Sequence, residues 1–403
     1  MSRSNNRKAP LPEAEARCGA APGPARSRSA EPDELRSADA LLYLEAGTAQ
    51  LDSGDLRGAI ALWERAVELD PGLVEAWTWL GRARRAEGDD RAAARSLRRA
   101  VVSSPDRAEI WLELADALQR LGDTGSALSA YQRALELSPH MPEALTHVGH
   151  LYRKLGRLDD AIDCFRRALA IEPELAEVWL HLANAYGASS RLAAAVHAYG
   201  RALEFGPERF QLWYNMAYAQ ARLGRLDDAV RGYGRAAELR PDDHEAWYNL
   251  GCALADQGRP RAAVQAYRTA AELRDDDHEL WNNLGTSLYQ LGRATEAIRC
   301  YERAIELIPD YHAAWNNLGV ALDESGDLEG AVRAYGAALD ARPQQPTYLL
   351  NRASALARTG RRPDALDHLA RAVKVEPRTR GLLAGFPEFA PFLERQELRP
   401  RSE

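Results

Sequence analysis

Cysteine is scarce: four residues in 403, Cys18, Cys164, Cys252 and Cys300, with no Cys-x-x-Cys pair. That spacing excludes a small disulfide framework and a paired-cysteine zinc site, and it fits a reducing compartment. No stretch of about eighteen apolar residues occurs, so no membrane-spanning helix is expected. The first residues, MSRSNNRKAPLPEAEARCGAAPG, lack the apolar core of a signal peptide, and the polar EAEAR before Cys18 argues against a lipoprotein cleavage site. A basic surplus is missing as well. The formal net charge is −7, whereas a general nucleic-acid binder needs a strongly basic face. These absences leave a cytoplasmic protein without membrane insertion or nucleic-acid partner as the expectation. Its Ala- and Arg-rich composition suggests a high-GC bacterial source.

What is present is a period. Prolines stand at 71, 105, 139, 173, 207, 241, 309, 343 and 377, each 34 residues from the next save one gap of 68, where Asp275 fills the missing place. Ten repeats follow without insertion or deletion: 40–73, 74–107, 108–141, 142–175, 176–209, 210–243, 244–277, 278–311, 312–345 and 346–379. Position 4 is aromatic or Leu, as in Trp77, Trp213, Trp281 and Trp315. Position 8 is Gly or Ala, positions 20 and 27 are always Ala, and position 24 is bulky, as in Trp63, Phe165 and Tyr301. Positions 4, 7, 8 and 11 make one apolar stripe at helical spacing and 20, 24 and 27 a second. A glycine at position 15 in nine repeats marks the turn between them, with Ser190 in its place in repeat five. Proline at position 32 ends the second helix.

Trp281, Leu284, Gly285, Leu288, Ala297, Tyr301, Ala304 and Pro309 of repeat eight together resemble the tetratricopeptide repeat, a 34-residue helix–turn–helix unit. The resemblance covers 340 of 403 residues. It implies an all-α fold, a right-handed superhelical solenoid of paired antiparallel helices, in which repeats stack because none buries its faces alone. The two departures, Ser190 and Asp275, predict local irregularity in repeats five and seven.

Residues 1–39 hold five prolines and eight alanines and little that is large and apolar, and they are expected to be a disordered leader. Residues 380–403 carry Phe386, Phe389 and Phe392, half the phenylalanines of the chain, and are expected to form a capping helix and tail over repeat ten.

Asparagine recurs where a helix has little use for it. On a wheel of 100° per residue, position 6 lies about 200° from position 4, opposite the core stripe. Asn215, Asn249, Asn283, Asn317 and Asn351 occupy it in five consecutive repeats, after Glu45, Trp79, Glu113, His147 and His181. In the tetratricopeptide family this face lines the concave groove. Similar asparagine ladders occur in the repeat region of O-linked N-acetylglucosamine transferases, where they hold a substrate backbone. An amide both donates and accepts, so the column could pair with an extended peptide whatever its side chains. At roughly 10 Å per repeat it spans about a dozen extended residues. Tyr214, Tyr218 and Tyr248 flank it as flat contacts. The peptide-binding residues expected are therefore those five asparagines and three tyrosines. The competing reading is a ladder that only ties neighbouring repeats together; if the asparagines serve a peptide, alanine there should leave stability unchanged. No Lys or Arg occupies positions 5 and 6, which excludes a two-carboxylate clamp for peptide C-termini.

His147, His150 and His181 cluster in repeats four and five, with polar groove lining favoured over a metal site because no carboxylate supports the set. Cys164 and Cys300 read as small buried hydrophobes. No phosphate loop, zinc-protease motif or nucleophile elbow is present, and 63 residues outside the repeats are too few for a catalytic domain. The expectation is a scaffold without catalysis or cofactor that binds a peptide or protein, or alternatively the substrate-recognition subunit of a separate catalytic chain such as a glycosyltransferase.

Overall fold

In a computed structural model the residues described are 32–379. Among them there is no strand. The chain divides into two compact segments at Leu137 and Ser138. The N-terminal segment holds three helix pairs: α1 (Pro32–Asp52) and α2 (Leu56–Leu69), α3 (Val74–Ala86) and α4 (Asp90–Ser103), α5 (Ala108–Arg120) and α6 (Thr124–Leu137).

Among the described residues the C-terminal segment holds seven. Its first helices are α7 (Pro142–Lys154), α9 (Ala176–Ala188), α11 (Phe210–Arg222), α13 (His244–Asp256), α15 (His278–Gln290), α17 (His312–Ser325) and α19 (Pro346–Arg358). Its second helices are α8 (Leu158–Ile171), α10 (Leu192–Phe205), α12 (Leu226–Leu239), α14 (Pro260–Leu273), α16 (Ala294–Leu307), α18 (Leu328–Ala341) and α20 (Arg362–Val375). Each second helix packs on its own first helix and, within a segment, on the first helix of the next repeat.

The repeat core is a ring against a bare backbone. A Cβ added at Gly285 would lie 2.7 Å from the Tyr301 ring, and one at Gly251 2.6 Å from Tyr267. Position 8 must therefore stay small for position 24 to be large, and the alanines at 20 and 27 let the helices close around that ring. Tyr267, Tyr301 and Tyr335 are all fully buried. Asp55, Asp89 and Asp327 start their second helices by accepting the N–H of the residue three places on.

The structure corrects several expectations. Helix α1 begins at Pro32, so residues 32–39 are helix and not leader. Proline at a first helical position loses no hydrogen bond, and Arg36, Ser37, Ala38 and Asp39 that follow are exposed. Residues 1–31 and 380–403, and with them Phe386, Phe389 and Phe392, lie outside the described residues. The position-4 tryptophans are half-buried rather than core. Every one of their indole N–H groups but that of Trp213 reaches back to the carbonyl of position 32 of the preceding repeat, as in Trp77 to Pro71 at 2.9 Å, Trp179 to Pro173 at 2.8 Å and Trp315 to Pro309 at 2.8 Å.

Asp275 does the same for Trp281 at 2.8 Å, so its substitution for proline leaves that contact in place. Ser190 keeps the turn of repeat five by adopting φ 60°, a conformation glycine reaches at lower cost. The irregularity falls between α10 and α11 instead. There Gly206, extended at ψ 173°, ends α10, and the Trp213 indole N–H is buried without an acceptor.

Candidate binding groove

Within the C-terminal segment the first helices of successive repeats also touch one another directly, α7 with α9 and α13 with α15, α17 and α19 in turn. The side chains at positions 2, 5, 6 and 9 thus share one wall of stacked first helices. The five asparagines are all half-buried on it.

The wall is tied together by its amides. Asn249 Nδ2 donates to the Tyr214 hydroxyl at 3.0 Å, and Asn283 Nδ2 to that of Tyr248 at 3.1 Å. Further along, Asn317 Nδ2 donates to Asn282 Oδ1 and Asn351 Nδ2 to Asn316 Oδ1, each at 2.9 Å. In all four the donor is position 6 and the acceptor is position 5 of the repeat before. Asn215 departs: its Nδ2 reaches Asn184 Oδ1 at 3.3 Å, while its own Oδ1 accepts from Gln211 at 2.8 Å. The same Asn184 oxygen accepts from the Tyr199 hydroxyl at 2.7 Å.

These bonds between repeats mean that alanine at the column removes native contacts, contrary to the expectation that stability would hold. They leave acceptors over. Asn249 spends both N–H groups, on Tyr214 and on the Glu245 carbonyl at 2.9 Å, and its Oδ1 accepts nothing among the described residues. Asn351 Oδ1 is likewise unengaged there.

The flanking tyrosines differ. Tyr214 and Tyr248 are half-buried, and their hydroxyls donate to Glu245 at 3.1 Å and Glu279 at 3.4 Å. Burial, aided by nearby carboxylates, holds both phenols well above their ordinary pKa, so both stay donors at neutral pH. Tyr218 is 48% exposed, with the Arg222 guanidinium over its ring. Sequence reasoning missed Glu245, Glu279, Asn282 and Asn316. The signal for the two asparagines was the position-5 column, Tyr214, Tyr248, Asn282 and Asn316, which switches residue type halfway, and for the two glutamates the position-2 column, where Glu75, Glu109, Glu143 and Glu177 also stand.

The wheel geometry and the repeat length now stand beside an observed stack of paired helices. Two family models described as tetratricopeptide repeat match residues 44–108, 282–346 and 317–381 in one case and 106–171 in the other, together more than half the chain. The chain belongs to the tetratricopeptide-repeat family. A further model, the C-terminal domain of cilia and flagella-associated protein 70, matches residues 140–288. No curated protein matches the chain.

Among solved structures, a C-terminal part of a tetratricopeptide protein from Cytophaga hutchinsonii is similar at TM-score 0.51 and 14% identity, over 58% of this chain and 95% of that one. The hetero-tetramer Cut9–Hcn1 of the APC/C aligns over 86% of this chain and 94% of that one at TM-score 0.42 and 15% identity. The first of these likenesses is one of fold. The family models speak for the tetratricopeptide repeats alone and do not extend to the O-linked N-acetylglucosamine transferases.

Of the other expected groups, His150 and His181 meet edge to face at 4.0 Å between ring centres, beside Phe165. Burial, helped by His181 and Arg153, lowers His150 to about 4, and burial lowers His181 as well. No cluster of three metal-ligating side chains forms among the described residues. Cys164 and Cys300 are buried, and burial pushes each thiol up to about 11, away from nucleophilic use. No described helix is long and apolar enough to cross a membrane.

Proposed function

We propose that this tetratricopeptide-repeat protein is a non-enzymatic scaffold for protein–protein interaction, and that the first-helix wall of repeats six to ten holds an extended peptide. The observation that carries the reading is the fixed amide column. Asn249, Asn283, Asn317 and Asn351 are held in one orientation by donating backwards. The Asn249 and Asn351 Oδ1 atoms are left for the N–H groups of a peptide main chain, and those of Asn283 and Asn317 accept only long bonds, at 3.5 and 3.4 Å, from Asn282 and Asn316. Tyr214, Tyr218 and Tyr248 supply flat apolar contact beside it. Asn215 belongs to the same wall and marks its end. A backbone held this way tolerates many side chains. Recognition on behalf of a separate catalytic chain is the narrower form of the same reading, and its mark would be one stoichiometric catalytic partner on native capture.

The test is photo-cross-linking with a peptide selected on the full chain from a random twelve-residue library. A photoreactive residue at Tyr218 should capture the peptide, and one at Gln265, exposed on the second helix α14, should not. Equal capture from both positions would end the groove reading.

A further inference from the structure

Glutamate recurs at position 2 of the first helices, and what it pairs with changes along the chain. Glu75 pairs with Arg107 at 3.0 Å and Glu177 with Arg209 at 2.5 Å. Both arginines stand at position 34 of the same repeat as their glutamate. In repeats seven and eight that position holds Asp277 and Tyr311. Glu245 and Glu279 are exposed there and have no cationic partner among the described residues, only the tyrosine hydroxyls described above. The cations nearest in sequence are committed elsewhere: Arg222 to Tyr218, Arg240 to Asp243 and the face of Phe210, and Arg274 to Asp276 and Asp277.

The second of these steps holds a further group short of a donor. The His244 side chain is only 9% exposed and stacks on Tyr248 with the planes 6° apart. Neither of its ring nitrogens has a hydrogen-bond partner, and Nε2 lies 3.9 Å from the Asp277 carboxylate. Asp277 is already engaged by Arg274 and by the start of α15, and the imidazole nitrogens are buried, so what this step offers is the aromatic face of Tyr248 beside the unpaired Glu279 carboxylate. Each of these groups favours a cationic donor, and an aromatic face beside a carboxylate suits a guanidinium in particular.

Resting on the groove reading, we infer that the peptide held there is basic, with arginine or lysine side chains three residues apart seated at the Tyr214–Glu245 and Tyr248–Glu279 steps. The spacing follows from the geometry. Successive first helices stand roughly 10 Å apart, and a polyproline II segment rises about 3.1 Å per residue with three residues per turn, so residues i and i+3 face the wall one repeat apart. The two carboxylates then set which peptide binds, while the asparagines hold its backbone.

The experiment is a titration of the full chain, by fluorescence anisotropy at low and at physiological salt, with three labelled twelve-residue peptides of proline, glycine and serine. One carries two arginines three apart, one citrulline at both places and one glutamate at both. The arginine peptide should bind roughly five- to tenfold more tightly than the citrulline peptide and weaken as salt rises. The pair Glu245→Gln and Glu279→Gln should abolish that preference. Glu177→Gln, whose carboxylate is already neutralised by Arg209, should leave it intact.

Equal affinity for all three peptides, or a preference that survives the double substitution, overturns the basic-peptide inference. In that case a loss of binding on replacing Asn283 and Asn317 by alanine would still uphold the groove. Absence of binding by any of the three peptides also overturns the inference, while leaving the library-selected peptide to judge the groove.

Discussion

The two segments build the same wall position from different chemistry. In repeats two and three of the N-terminal segment position 6 is closed off: Trp79 stacks on Trp63 with 5.6 Å between ring centres, and Glu113 is gripped by Arg82 through bonds of 2.6 to 3.1 Å. From repeat seven to repeat ten of the C-terminal segment the same position is an amide that ties repeats together, and at Asn249 and Asn351 it keeps an oxygen to spare. Identical helix pairs thus carry one wall satisfied by its own side chains and one with bonding capacity left over. The contrast shows that the repeat sets where a side chain stands, while position 6 and its neighbours set whether anything remains for a partner.

The largest effect should come from the core that both walls share. Tyr301→Ala empties the space against Gly285 and should cost about 3–5 kcal/mol, whereas Tyr301→Phe gives up only a 3.4 Å bond to Thr286 and should cost less than about 1 kcal/mol. Because repeats couple only to neighbours, hydrogen exchange should rise in repeats seven to nine and stay unchanged in the N-terminal segment. Uniform loss of protection along the whole chain would contradict that.

Next comes the ladder. Replacing Asn249, Asn283 and Asn317 together by alanine removes three bonds between repeats at about 0.5–1.5 kcal/mol each, partly offset by alanine's helix propensity. Denaturant melts should show a loss of roughly 1–4 kcal/mol. Glu113→Gln, which weakens an exposed ion pair in the other wall, should cost less than about 1 kcal/mol. A costlier Glu113→Gln would reverse the comparison.

Acid should separate the segments too. His150 in the C-terminal segment titrates at about 4 when folded and near its ordinary 6.5 when unfolded, so between those values the unfolded chain binds more protons. Stability should therefore fall as pH drops from about 6.5 to 4, by on the order of 1–2 kcal/mol once solvent screening is allowed for. The groups around it are His181, Arg153 and His147, and Glu177 acts on His181. His150→Asn should flatten the slope, and an unchanged slope would place the pH sensitivity elsewhere.

The smallest effect should lie at the break between α10 and α11. Trp247→Phe loses a 2.9 Å bond to Pro241 and should cost about 0.5–1.5 kcal/mol beyond the change of ring. Trp213→Phe removes a buried N–H that bonds to nothing and should cost less or stabilise. Equal costs at the two sites would mean that the Trp213 indole finds an acceptor in solution.

Much of this was legible in the sequence. The period, the helix pairs and the asparagine column follow from residue types at fixed spacing, since a strict repeat turns each position into a statement about one face. The acceptors of the ladder were not legible. They lie 35 residues before their donors, from position 6 back to position 5, and that offset exists only once the stagger of neighbouring first helices is known. The role of the tryptophans was missed for a related reason: a large apolar residue on the core stripe reads as core, while its N–H directs it to the edge. Asp275 looked like a defect because the motif has proline there, yet the indole needs only the carbonyl of that residue, which any residue supplies.

The claim on which the rest depends is that the amide wall of the C-terminal segment grips a peptide, and affinity tests it more directly than stability does. A library-selected peptide titrated against the full chain and against the Asn249, Asn283 and Asn317 alanine variant, at a temperature where circular dichroism shows both folded, decides it. The account predicts a loss of roughly 10- to 1000-fold, three backbone bonds at about 0.5–1.5 kcal/mol each. Unchanged affinity in a folded but less stable variant would contradict it and leave the asparagines as ties between repeats alone.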